Sequence, residues 1–131
     1  AHGVAVADKR GKLRFAANGK PGSALSSDGA TLVSCVLLDD LVSQARPSFI
    51  KMDIEGAELD ALRGASRIVT EHLPILAVCL YHLPNHLWRV PLLVHTIAKQ
   101  SASRYRFFAR RYSIGYRELV CYAVPECRMA S

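Results

Sequence analysis

Within the eight residues from Lys51 to Glu58 the chain gathers one lysine and three carboxylic acids, Lys51, Asp53, Glu55 and Glu58, with Gly56 among them. Carboxylates so close together could bind a divalent cation through oxygen ligands or take a proton from a substrate hydroxyl. The structural alternative is that Asp53 caps a helix and Glu58 complements the positive end of its dipole. Further along, His82 carries an imidazole, a natural base for a hydroxyl proton near neutral pH. Its structural alternative is a loop histidine bonded to backbone. Lys51 lies in the otherwise apolar run Phe49, Ile50, Met52, and burying its charge would require a partner such as Asp53 or Glu55.

The elements around these residues read as a strand followed by a helix. Phe49 to Met52 is an apolar strand that stops on Asp53, and the apolar positions Ala57, Ala61, Ala65, Ile68 with Val69, and Leu73 then recur at helical spacing. The acids therefore collect at a strand's C-terminal end, where open α/β sheets keep their ligands. Side chains alternate along a strand, so Lys51, Asp53 and Glu55 should face one side as a charge-balanced row. Ile75 to Tyr81 is nearly all apolar and suits a central parallel strand covered on both faces. That strand would set Tyr81 and His82 beside Asp53 on the same rim, with Asn85 and His86 as weaker versions of His82. Trp88 is most simply a core anchor under the following turn, with a substrate-wall role left open.

The remainder fills out one compact α/β unit over residues 1–131. Val4 to Ala7 and Lys12 to Ala16 read as short strands around a turn containing Asp8, and the Gly-, Ser-, Asn- and Pro-rich stretch 17–30 reads as a mobile surface loop. Thr31 to Leu38 reads as a strand, and Asp39 or Asp40 can cap the short helix after it. One helix should run from Glu55 to Leu73, where Gly64 marks a bend or close packing, and another should begin at Pro91 and reach Lys99. Tyr105 to Tyr112 and Glu118 to Val124 complete the list as two strands.

The run from Phe49 to Ala65 resembles the signature of the FkbM family of S-adenosylmethionine-dependent methyltransferases, a strand ending in Lys-x-Asp-x-Glu-Gly-x-Glu and a helix carrying Leu-x-Gly-Ala. Lys51, Asp53, Glu55, Gly56, Glu58, Leu62, Gly64 and Ala65 all fit. The likeness extends through Val4 to Phe15, Leu37 to Val42, Leu80 to Pro91 and Glu118 to Pro125. It implies a Rossmann-like methyltransferase sheet, mostly parallel with a C-terminal antiparallel strand pair. It also implies a first strand with a Gly-rich turn and a second strand ending in an acid; the glycines, at 3, 11, 19, 22, 29, 56, 64 and 115, form no such cluster. The chain thus reads as the C-terminal portion of the domain, its N-terminal strands and Gly-rich turn missing. The resemblance further implies S-adenosyl-L-methionine as cofactor, a hydroxyl on a small molecule or glycan as acceptor, and an O-methyltransferase as the intact enzyme. On that reading Asp53, His82, Glu55 and Lys51 are catalytic; Asp8, Asp53 and Gly56 touch the cofactor; and Glu58, Tyr81, Asn85 and Trp88 touch the substrate. Asp8 is equally a turn aspartate. The three acids admit a divalent metal without indicating one.

Composition narrows the classes. No apolar stretch is long enough to span a bilayer and the N-terminus lacks the features of a signal peptide, so the expectation is a soluble, cytoplasmic protein. Cys35, Cys79, Cys121 and Cys127 show no C-x-x-C spacing and read as free thiols, mostly buried. The net charge of +6 is concentrated in Arg104, Arg106, Arg110, Arg111 and Arg117, which could attract nucleic acid but read better as the wet face of a strand. A catalytically incomplete fragment acting as a binding module is the alternative to an enzyme. In that case an exposed sheet edge would call for a second copy or a partner chain.

Overall fold

The computed structural model describes residues 3–15, 31–114 and 118–129. The expected loop at 17–30 lies outside them. Among the described residues seven strands and four α-helices follow one another: β1 (Ala5–Val6), β2 (Gly11–Phe15), β3 (Thr31–Val36), α1 (Leu38–Leu41), β4 (Phe49–Met52), α2 (Glu58–Arg63), α3 (Ser66–His72), β5 (Ile75–Cys79), α4 (His86–Ala98), β6 (Tyr105–Arg111) and β7 (Leu119–Pro125).

The strands form two sheets, of order β1-β3-β2 and β4-β5-β7-β6. This corrects the expectation of one mostly parallel sheet: β1 with β3 and β4 with β5 are parallel, whereas β2–β3, β5–β7 and β6–β7 are antiparallel. Connection length explains the pattern. Parallel neighbours need a crossover, and α2 with α3 supplies one between β4 and β5, while the connection from β6 to β7 is too short for anything but an antiparallel return. The C-terminal antiparallel pair is as expected.

Helices α2, α3 and α4 cover one face of the larger sheet. Met52, Leu76, Val78, Cys121 and Ala123 meet Leu59, Leu62, Val69, Val90, Val94 and Ile97 there to form the main core. On the opposite face, Ala77, Cys79 and Val120 are buried beneath Tyr81 and Tyr122 rather than beneath helices. β5 is therefore covered by helices on one side only; on the other, Tyr81 and Tyr122 pack over its buried residues without a helical layer.

Gly64 splits the single helix expected from Glu55 to Leu73. A Cβ at this position would stand 2.1 Å from the Ala7 carbonyl oxygen, so glycine lets the α2–α3 junction lie directly against the end of β1. The same junction receives Asp39, which does not cap its own helix. The Asp39 carboxylate instead accepts the backbone N–H groups of Arg67 and Ile68, both at 2.9 Å, and the Asp39 N–H donates to the Gly64 carbonyl at 2.9 Å. The N-cap residue of α3 is Ala65, which has no acceptor of its own, and Asp39 supplies the cap from 28 residues away. Asp40 pairs with Arg10 through two bonds of 2.8 and 2.9 Å.

Helix α4 begins at His86 rather than Pro91. The apolar stripe through His86, Val90, Val94, Ile97 and Ala98 is buried along its whole length, and that packing outweighs the interior proline, whose cost in a helix is about 3 kcal/mol. In β6, Tyr105 turns inward and Arg106, Arg110 and Arg111 stay exposed, as a solvated strand face requires. Cys35, Cys79 and Cys121 are buried and Cys127 is exposed, all as free thiols. No helix among the described residues is long and apolar enough to cross a membrane.

Candidate active site at the strand rim

The parallel register of β4 and β5 pairs Lys51 with Ala77 and Met52 with Val78, which carries Asp53 level with Cys79 and the residues just beyond it. Period-two alternation then assigns the faces. Met52 enters the helix-covered core, while Phe49, Lys51, Asp53, Cys79, Tyr81 and Tyr122 border a cavity of about 430 Å³ on the open face. Lys51 has the expected partner in Asp53, but the pair is exposed and not buried. The Lys51 side chain is exposed along this face, with Nζ 3.7 Å from Asp53 Oδ2.

Asp53 is an acceptor on the open face. The Tyr81 hydroxyl donates to Oδ1 at 2.8 Å, and the Cys79 thiol is a second donor. Burial pushes the carboxyl up, but those two hydrogen bonds with the charges of Lys51 and His82 outweigh it, and the pKa lies below the ordinary carboxylate value. The donors respond in the opposite sense. Burial and the Asp53 bond raise the Cys79 thiol to about 12, and the bond to Asp53 followed by burial raises the Tyr81 hydroxyl above its usual value.

The turn after β4 is bent into an unusual shape. Glu55 has φ 55° and Gly56 has φ 101°, both left-handed. A Cβ on Gly56 would meet only Leu83 side-chain atoms at 3.5 Å, so backbone conformation and not space selects glycine. The bend aims the Glu55 carboxylate back at the rim, where Oε2 lies 3.6 Å from His82 Nε2; Asp53 Oδ1 is 3.4 Å from the same nitrogen. A non-glycine residue held left-handed at the mouth of a cluster of ionisable groups is the kind of strain that functional sites retain.

Glu58 departs from expectation. It is fully buried, so it offers no surface to a substrate. Its Oε1 accepts the Ile54 N–H at 3.1 Å and lies 2.7 Å from His82 Nδ1, while Oε2 lies 3.2 Å from Nδ1 of His86. His86 is also fully buried, and desolvation draws its pKa below the ordinary histidine value in spite of Glu58.

The fold thus brings Lys51, Asp53, Glu55, Tyr81 and His82 together at one rim, with Glu58 beneath. Asp8 is exposed on the bend after β1, in the other sheet, which agrees with the turn reading. Asn85 precedes α4 and buries Oδ1 without a hydrogen-bond partner. Trp88 is a correction: it is 58% exposed on α4, because the inward stripe of that helix runs through His86, Val90 and Val94. His86 and Cys79 were underrated in the sequence. The signals for them were the four-residue step from His82 and the two-residue step back from Tyr81 along the same strand face. Among the described residues no group of three or more His, Cys, Asp or Glu side chains is set to hold a metal ion.

A family model described as Methyltransferase FkbM domain matches residues 2–110. The crystal structure of methyltransferase FkbM from Methylobacillus flagellatus KT is similar, with a TM-score of 0.73 and 28% sequence identity over 93% of this chain. The chain spans 27% of the length of that protein. No curated protein gives a significant match.

Proposed function

The chain belongs to the FkbM methyltransferase family, and from that premise we propose that it carries the proton-handling rim of an S-adenosylmethionine-dependent O-methyltransferase acting on a hydroxyl of a small molecule or glycan. The observation that carries the proposal is the approach of His82 Nε2 to Asp53 and Glu55, at 3.4 and 3.6 Å, at the C-terminal end of parallel strands.

When bound, S-adenosylmethionine supplies an electrophilic methyl group on a sulfonium. The residues present fit one end of that cofactor: Asp53 and Glu55 are acidic side chains suited to its sulfonium and ammonium charges, and the left-handed turn at Gly56 lies beside them. No Gly-rich turn between a strand and a helix occurs among the described residues, so the adenosine end has no cradle there.

Between the two candidate bases, His82 is favoured. Asp53 already accepts from Tyr81 and Cys79 and has a lowered pKa, which makes it a weak proton acceptor and a good fixed anion. His82 Nε2 has no hydrogen-bond partner and is buried beside the rim carboxylates, 3.4 Å from Asp53 Oδ1 and 3.6 Å from Glu55 Oε2. It would take the acceptor's hydroxyl proton, while Asp53 and Glu55 stabilise the imidazolium that results. Lys51 lies on the same face, with charge to offset theirs.

Two measurements test this. Calorimetric titration with S-adenosylhomocysteine should give micromolar binding if the rim and its surroundings suffice for the cofactor. In a protein that transfers methyl groups, His82→Asn should lower turnover by roughly 10²–10⁴-fold, the usual contribution of a general base; full activity in a folded His82→Asn variant would falsify the assignment.

A second reading has an observation in its favour. Among the described residues β4 is an edge strand, Phe49 is 52% exposed, and the face around it is open, so the chain could act as a module covered by a second copy or another polypeptide. Light scattering at increasing concentration distinguishes them: a monomer throughout removes the self-associating form.

A further inference from the structure

We infer that Glu58 is a positioning residue that accepts the His82 Nδ1 proton and thereby turns an unprotonated Nε2 toward the Asp53–Glu55 rim. The inference rests on the reading of His82 as the base and deepens it by naming what holds that base in its reactive form.

The geometry leaves Glu58 little freedom. It is fully buried in the first turn of α2, and its Oε1 already accepts the Ile54 N–H at 3.1 Å. An oxygen that accepts from a backbone donor acts as the carboxylate end of the 2.7 Å contact to His82, and Nδ1 carries the proton. The Ile54 bond also couples the histidine to the backbone that follows Asp53, so the base and the left-handed turn bearing Glu55 are set by one side chain. A buried carboxylate is costly without partners. His82 and Ile54 both meet Oε1, while Oε2 is buried without a hydrogen-bond partner. The Oε1 contact gives the imidazole one orientation and one tautomer, the logic by which a carboxylate orients a catalytic histidine in hydrolases.

His86 closes the arrangement from below. Its ring occupies the space against Glu58 Oε2, with Nδ1 3.2 Å away but not aligned for a hydrogen bond. Burial favours its neutral form, so it does not compete with His82 for the carboxylate's charge. Position 86 thereby seals Glu58 from water and leaves His82 as its one aligned side-chain partner among the described residues.

The test is nitrogen-15 NMR of the histidine rings in the full chain, without cofactor or acceptor, at neutral to mildly alkaline pH. The expected result for His82 is a protonated Nδ1 and an unprotonated Nε2. In Glu58→Leu, which removes the acceptor while staying apolar, the balance should move toward the Nε2–H form; Glu58→Gln, which keeps an acceptor oxygen, should preserve the original tautomer. A wild-type His82 protonated on Nε2, alone or together with Nδ1, overturns the inference even if Glu58→Leu does not fold. So does a tautomer unchanged in a folded Glu58→Leu. Because the readout needs no turnover, it separates from the functional proposal: the expected tautomer in a protein that binds no S-adenosylhomocysteine would leave the positioning intact and remove the methyl-transfer role.

Discussion

The Tyr81 hydroxyl donates to Asp53 Oδ1 at 2.8 Å, joining the residue just past β4 to the segment just past β5. Two side chains 28 residues apart in sequence thereby fix the anion at the centre of the rim.

That bond has a pH signature. The folded pKa of Asp53 lies below its unfolded value, so the interaction adds stability above the unfolded value of about 3.9 and loses it as pH falls through the folded pKa. Denaturation midpoints measured across the acid range should therefore fall less steeply for Asp53→Asn than for the wild type. Tyr81→Phe should show the same flattening in part, since Cys79, Lys51 and His82 still favour the charged form. Identical acid limbs for all three proteins would show that Asp53 is not held as the geometry indicates.

Glu55 should show a trade between stability and activity. Holding a non-glycine residue at φ 55° costs about 1 kcal/mol, part of which glycine returns through its greater freedom in the unfolded chain. Glu55→Gly should therefore leave stability unchanged or raise it by roughly 0.5 kcal/mol in urea titration, while any methyl transfer falls because one of the two carboxylates near His82 Nε2 is gone. Clear destabilisation would mean that the Glu55 side chain is structural.

Gly64 should tolerate no side chain. A Cβ placed 2.1 Å from a backbone oxygen cannot be relieved by a rotamer change, so Gly64→Ala must separate the α2–α3 junction from β1. The expected loss is roughly 1–3 kcal/mol, with little change in the denaturant slope. Asp39 caps α3 at the same junction, so combining Gly64→Ala with Asp39→Ala should give less than the sum of the two losses.

Much of this organisation is legible along the chain. The strand Phe49–Met52 and the sequence Asp53-x-Glu55-Gly56-x-Glu58 after it specify a rim of acids through local periodicity and the demand of glycine for a left-handed turn. The apolar run at Ile75 likewise specifies a strand, and with it the placement of His82 beside Asp53. Alternation along β6 separates its inward Tyr105 from its exposed arginines.

Other features were decided only when distant segments met. Asp39 looks like the cap of its own helix, yet its carboxylate serves Arg67 and Ile68, because α3 starts at an alanine and the packing at Gly64 brings Asp39 to it. Trp88 and His86 exchange their expected places, since the rotation of α4 is set by burying Val90 and Val94 and not by the size of any one side chain. Glu58 belongs to the same class. Its spacing marks it as one more acid of the rim, but two histidines and a backbone N–H meet it in the interior. Sequence determines which residues lie on one strand or one helical turn because those relations are periodic and local. The partners of a buried charge come from wherever the packed core can satisfy it, and that is a property of the tertiary structure.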